Sequence, residues 1–127
     1  MKEKVLIIGS GAREHAICRS IFKSDRHKEI FCIGSSNNPG IISMCSNFHV
    51  GDINNPKIVL DFVKEFNCSM AVIGPENPLE NGIADTLDLH GVNVIGPKKK
   101  LAQLETSKSF TRNLLNKFRI PGLPKYK

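Results

Sequence analysis

The densest chemistry in this sequence lies in seven consecutive residues, Gly9-Ser10-Gly11-Ala12-Arg13-Glu14-His15. Two glycines let the backbone turn sharply and present its N–H groups, and a helix starting there adds the positive end of its dipole. That combination is an anion site. Arg13 can hold a phosphate in a two-pronged fork, and cations at a helix start are unfavourable unless an anion offsets them. The plainer reading is a tight turn with Arg13 pointing to water. The segment opens like the dinucleotide fingerprint G-x-G-x-x-G, but Glu14 stands at the third glycine position. No acid follows the second apolar run either, since Ile33 leads into Gly34-Ser35-Ser36 where a ribose-holding carboxylate belongs. A nicotinamide-dependent oxidoreductase domain is therefore the alternative reading, with both of its specific supports missing.

Two further loops carry polar groups. Gly74-Pro75-Glu76-Asn77-Pro78 places Glu76 just before an expected helix start, where the dipole favours a carboxylate, so a helix-capping acid is its plainer role. The loop from Ser35 to Gly40 offers Asn37 and Asn38, either turn formers or ligand donors. His27, His49 and His90 read as surface or strand-end residues without partners, and no Ser or Cys has a His and an acid nearby to form a triad. Cys18, Cys32, Cys45 and Cys68 contain no C-x-x-C pair and no His at ligand spacing, which speaks against a zinc site. Cys18 and Cys32 lie in apolar contexts and read as buried thiols of a reducing compartment.

These loops need a scaffold, and the apolar pattern supplies one. Lys4–Ile8 is apolar without alternation, as a strand buried on both faces would be. A helix is expected from Arg13 to about Phe22, a strand from Glu29 to Ile33, a short helix over 41–45 and a short strand from Asn47 to Val50. Pro56 suits a first helical position ahead of the stripe Ile58, Val59, Phe62, Val63 and Phe66. Ser69–Ile73 is another buried strand; Pro78 opens a helix running through Leu79, Ile83 and Leu87 to a stop at Gly91, and Val92–Ile95 is the last strand. Strands alternating with crossover-length helices predict an open doubly wound parallel α/β sheet, Rossmann-like, over residues 1–97. Residues 98–127 differ in kind: a short basic helical piece from Lys98 to Glu105, then a helix capped by Ser107 with the stripe Phe110, Leu114, Leu115 and Phe118.

The chain has 127 residues, 40% hydrophobic and 24% charged, which is one ordinary domain and excludes disordered and low-complexity classes. Its longest apolar runs are far short of a membrane span, and Arg13 and Glu14 end the first too early for a signal peptide, so a cytoplasmic location is expected. A formal net charge of +6 suggests nucleic acid until it is located. Residues 1–97 hold 9 Lys+Arg against 11 Asp+Glu, whereas residues 98–127 hold 9 against one. The basic excess is local, and neither a nucleic-acid nor a membrane partner is expected.

Four segments, in order and spacing, resemble the phosphoribosylamine–glycine ligases (glycinamide ribonucleotide synthetases) of purine biosynthesis. Residues 4–16 resemble that family's opening G-S-G-G-R-E-H-A, with Ala12 in place of a glycine. Residues 74–85 resemble its G-P-E-x-P-L-x-x-G-I-x-D. Gly96-Pro97 with 102–108 is similar to G-P-x(5)-Q-L-E-x-S-K, with Leu101 where an alanine is usual, and Ile120-Pro121 and Tyr126 stand at an I-P and an aromatic. Asn37-Asn38-Pro39-Gly40 departs from the commoner P-G-N-A-G loop and looks more like archaeal members. The resemblance implies an N-terminal, pre-ATP-grasp domain over 1–97 that binds 5-phosphoribosylamine, with 98–127 as a helical linker into an ATP-grasp domain. It implies that ATP, with magnesium or manganese, activates glycine as an acyl phosphate outside this chain, and that the chain alone is inactive. The implied substrate-binding residues are Gly9, Ser10, Gly11, Ala12, Arg13, Glu14 and His15 around the 5-phosphate. Glu76, Pro78 and Leu79 would face the ribose and amine, with Asn37, Gly74 and Pro75 beside them. No catalytic or metal-binding residue is implied within the chain.

Overall fold

A computed structural model describes residues 2–26 and 28–125; His27 and Tyr126, singled out above, lie outside the described residues. Among the described residues five strands and seven helices follow in order: β1 (Glu3–Ile8), α1 (Ala12–Phe22), β2 (Lys28–Gly34), α2 (Pro39–Ile42), β3 (Asn47–Val50), α3 (Pro56–Phe66), β4 (Met70–Ile73), α4 (Glu76–Glu80), α5 (Ile83–Leu89), β5 (Asn93–Ile95), α6 (Lys99–Thr106) and α7 (Lys108–Lys117). The strands form one sheet in the order β3-β2-β1-β4-β5, and every pair is parallel. The expected open, doubly wound α/β sheet is the fold observed.

β1 lies at the centre, and its apolar run has the reason the sequence suggested. Val5, Leu6, Ile7 and Ile8 are all 0% exposed, because successive side chains enter opposite layers and both layers are covered. Leu6 and Ile8 join Phe62, Ile83 and Leu87 in the larger core beneath α3 and α5. Ile7 joins Cys18 of α1, Cys32 and Ile41 of α2 in a smaller core on the other face. Helix starts follow their signals: Asn55 caps α3 by accepting the Lys57 N–H at 3.0 Å with Pro56 at the first position, and Ser107 caps α7.

The segment after β4 differs from expectation. A single helix from Pro78 to Gly91 is replaced by two, α4 and α5, broken at Asn81 and Gly82. Gly82 takes φ +78°, a left-handed conformation that a side chain disfavours and a continuous helix forbids. The first of the two starts at Glu76, so Pro78 lies within its first turn, where a missing N–H loses nothing. Likewise the short helix expected over 41–45 runs instead from Pro39 to Ile42, because Asn38 caps it.

In the C-terminal extension, α6 is fastened to α5. Lys98 pairs with Asp88 at 2.6 Å and the Lys99 N–H donates to Asp85 at 2.8 Å, while Ala102 enters the larger core. α7 packs on α6 and buries no side chain; Phe118 is 62% exposed. Among the described residues no helix is long and apolar enough to cross a membrane.

Cys18, Cys32 and Cys68 are buried and Cys45 is half-buried. Burial pushes Cys18 and Cys68 up to about 11 and Cys32 higher still; the Cys32 thiol donates to the Gly9 carbonyl at 3.4 Å. A thiol reagent at pH 8 is therefore expected to modify Cys45 first and the other three only on unfolding, read by mass spectrometry of peptides. Prompt native-state modification of Cys32 would contradict the packing described. Because the folded chain holds these thiols protonated above the usual value of 9.0, stability is expected to fall as pH rises past 9.

Candidate functional site

β1 and β4 are neighbours whose connections leave in opposite directions, β1 towards β2 and β4 towards β5, with α1 and α5 on opposite faces. At such a switch point the loops diverge and open a crevice at the carboxyl ends of the strands. Here they enclose a cavity of about 380 Å³. The β1–α1 turn contributes Ser10, Gly11 and Glu14, and the β2 loop contributes Ser35 and Ser36. Ile53 and Asn54 come from the β3–α3 connection, and Pro75, Asn77 and Pro78 from the start of α4.

Glu14 is the only charged side chain buried among the described residues. Its Oε2 accepts the Gly11 N–H at 2.7 Å, and its side chain is wedged where three glycines converge. A Cβ on Gly9 would stand 2.7 Å from Glu14 Cγ, one on Gly11 would stand 2.9 Å from Oε2, and one on Gly74 would overlap Oε1. Glu14 thus occupies the room in which a dinucleotide pyrophosphate would approach the turn, and it carries the same sign of charge. The nicotinamide alternative has no support in this geometry. The first-turn amides of Ala12 and Arg13 still have no i−4 carbonyl partner, by helix geometry, and remain the anion-attracting part of the turn.

Arg13 does not point idly to water. Nη1 donates to the Gly74 carbonyl at 2.5 Å and Nη2 pairs with Glu76 Oε1 at 3.4 Å, so the side chain straps the β1–α1 turn to the β4–α4 loop. Both partners are well exposed, and such a pair is weak and readily rearranged by a competing anion. The Glu76 carboxyl is held below the usual carboxylate range by its own backbone N–H at the helix start and by the Arg13 guanidinium.

The neighbouring loop is fixed by Asn38. Its Oδ1 accepts the Gly40 and Ile41 N–H groups at 3.0 and 3.3 Å, and its Nδ2 donates to the Ser10 carbonyl at 2.9 Å. The Ser36 N–H donates to Ser10 Oγ at 3.3 Å. Of the two open roles for these asparagines, Asn38 is the turn former; Asn37 is exposed and outside the cavity wall. His15 turns towards α2, its ring covering Gly40 so closely that a Cβ there would overlap it. His49 packs on Phe62 at 5.9 Å and His90 Nδ1 lies 2.8 Å from the Thr86 carbonyl, so both have neighbours that the sequence did not reveal.

Of the residues implied above, the structure brings Ser10, Gly11, Glu14, Pro75 and Pro78 into the wall. Arg13, Gly74 and Glu76 join one another beside them. Gly9 shapes the turn with φ +119°, Ala12 is exposed, and Leu79 is packed in the larger core. Sequence reasoning passed over Ile53, Asn54, Asn77, Ser35 and Ser36 as site residues. The available signal for the first two was position alone, just beyond the carboxyl end of a predicted strand.

The family model described as "Phosphoribosylglycinamide synthetase, N domain" matches residues 3–105. The chain is 40% identical over 124 residues to the phosphoribosylamine–glycine ligase of Methanocella arvoryzae, covering 98% of this chain and 29% of that protein. It is 42% identical over 123 residues to the enzyme of the same name from Methanosphaera stadtmanae, covering 97% and 27%. It thus spans less than a third of the length of the curated relatives it matches. The crystal structure of phosphoribosylglycinamide synthetase from Anaerococcus prevotii shares the fold, with a TM-score of 0.64 at 17% identity, covering 94% of this chain and 30% of that one. The match over nearly the whole length establishes that this chain belongs to the phosphoribosylglycinamide synthetase family, whose N-terminal domain it represents.

Proposed function

We propose that the cavity at the β1–β4 switch point holds the phosphoribosyl part of the substrate in a ligase that joins glycine to 5-phosphoribosylamine, with ATP supplying the driving force. The observation that carries this reading is one crevice with two chemistries. The first turn of α1, with Arg13 beside it, attracts a phosphate. The carboxylates of Glu14 and Glu76, close by, accept from hydroxyl and amine groups. A sugar phosphate bearing an amine presents both. The resemblance carries Gly9–His15 to the phosphate and Glu76, Pro78 and Leu79 to the ribose side. Arg13 reaches the phosphate by letting go of the exposed Glu76.

In this reading the chain is the substrate-binding domain, with the basic stretch 98–127 leading into an ATP-grasp domain, and the whole protein works in the cytoplasm. ATP and its magnesium or manganese are, in this reading, held outside this chain by the ATP-grasp domain. Those groups belong to the partner domain, and no step within this chain runs through them. Neither nucleic acid nor membrane is a partner.

Titration of the chain with ribose 5-phosphate and with glycinamide ribonucleotide tests the reading. Wild type binds both, weakly, and Arg13→Ala is expected to weaken each about tenfold, the loss of a charge-assisted contact. Equal affinity in the two proteins would remove Arg13 from the site, and no binding by wild type would remove the site itself. The chain alone is expected to make no product from ATP, glycine and 5-phosphoribosylamine in a coupled assay; measurable turnover would contradict the division of labour proposed here.

A further inference from the structure

The β3–α3 connection contains three polar side chains, and two have evident structural work. Asp52 Oδ1 accepts the Asn54 N–H at 3.0 Å, and Asn55 Oδ1 caps α3. Asn54 is different. Its Oδ1 is sealed from solvent and has no hydrogen-bond partner, the one such side-chain atom among the described residues. Buried acceptors in folded proteins are nearly always paired, because leaving one unmade forfeits its hydration for nothing. For folding alone, an apolar side chain of similar shape would serve better at this position. The same residue is itself only part-buried and lines the cavity with Ser10, Glu14 and Ser36, so a turn of its carboxamide about the soft terminal torsion would bring Oδ1 out to a partner arriving from that side.

The chemistry of the atom limits what that partner is. A carboxamide oxygen accepts and cannot donate, and an ionised phosphate has no proton to offer it. A hydroxyl has one. We propose that Asn54 hydrogen-bonds a hydroxyl of the substrate's pentose ring, and so recognises the sugar rather than its phosphate. The assignment rests on reading the cavity as a phosphoribosyl site and adds a specificity residue on the wall contributed by the β3–α3 connection.

The test compares two ligands on three proteins. Wild type, Asn54→Leu and Asn54→Ala are titrated with ribose 5-phosphate and, separately, with inorganic phosphate, and the melting temperature of each ligand-free protein is recorded. Both variants are expected to bind ribose 5-phosphate about tenfold more weakly while inorganic phosphate affinity is unchanged. Asn54→Leu should melt no lower than wild type, because it removes an unpaired polar group; where leucine proves too large, Asn54→Ala carries the same comparison. Unchanged ribose 5-phosphate affinity in the variants overturns the Asn54 assignment and leaves the site standing. So does an equal loss for both ligands. Failure of wild type to bind ribose 5-phosphate overturns the phosphoribosyl reading, and this assignment with it.

Discussion

Gly74→Ala is expected to destabilise the chain by about 2–4 kcal/mol, read from the shift in denaturant midpoint at constant slope. The backbone at Gly74 is ordinary, so the effect is one of space. A Cβ there overlaps Glu14 Oε1 and lies 2.5 and 2.6 Å from Cδ and Cγ. Glu14 has little room to withdraw, because it is buried and its Cγ lies only 2.7 Å from where a Cβ on Gly9 would stand. Either the carboxylate leaves, abandoning the Gly11 N–H, or the β4–α4 loop lifts. Lifting breaks the bond from the Gly74 N–H to the Ile8 carbonyl at 3.1 Å, and the Arg13 strap with it. The diagnosis makes a stronger claim than the magnitude. In a Glu14→Ala background the added effect of Gly74→Ala should shrink below about 1 kcal/mol, because the atom in its way is gone. An undiminished effect in that background would show that Gly74 is required for another reason.

The same wedge explains why the turn misled as a motif and yet informed as chemistry. In a dinucleotide fold the third glycine lets helix and strand approach; here Glu14 fills that approach, and Gly9, Gly11 and Gly74 make room for it. Sequence periodicity reads what is local and repetitive. The apolar run of β1, the Asn55-Pro56 start of α3 and the Ser107 cap were all legible for that reason. The break at Gly82 was not, because Leu79, Ile83 and Leu87 keep a four-residue spacing straight across it. That spacing is the signature of one helix, so Asn81-Gly82 was the better guide. The partners of Arg13 lie 61 and 63 residues away and Asn38 reaches back 28, pairings that depend on the order of strands in the sheet. Asn54 was invisible for a related reason. Its isolation is a property of what packs around it, and no spacing encodes that.

Ile41→Ala should have the second large effect, about 2–5 kcal/mol, and its consequences should be local as well as global. Ile41 is 0% exposed and is the only buried side chain of α2, a four-residue helix far too short to persist unaided. It anchors α2 in the smaller of the two cores, beside Ile7, Cys18 and Cys32. That anchor holds more than a helix. Asn38 can cap α2 and bond the Ser10 carbonyl only while the Gly40 and Ile41 amides stay in place, and the His15 ring rests on Gly40. Loss of Ile41 should therefore free the loop over 35–38, raise amide exchange there and in α2, and weaken ribose 5-phosphate binding. Leu87→Ala supplies the control, since Leu87 is equally buried but lies in the larger core under α5. It should lower stability by a similar amount while leaving exchange at Ser36 and Asn38 limited by global unfolding. Equal local exchange in the two variants would mean that α2 does not hold the loop, and that the cavity owes its shape on this side to the backbone of β2 alone.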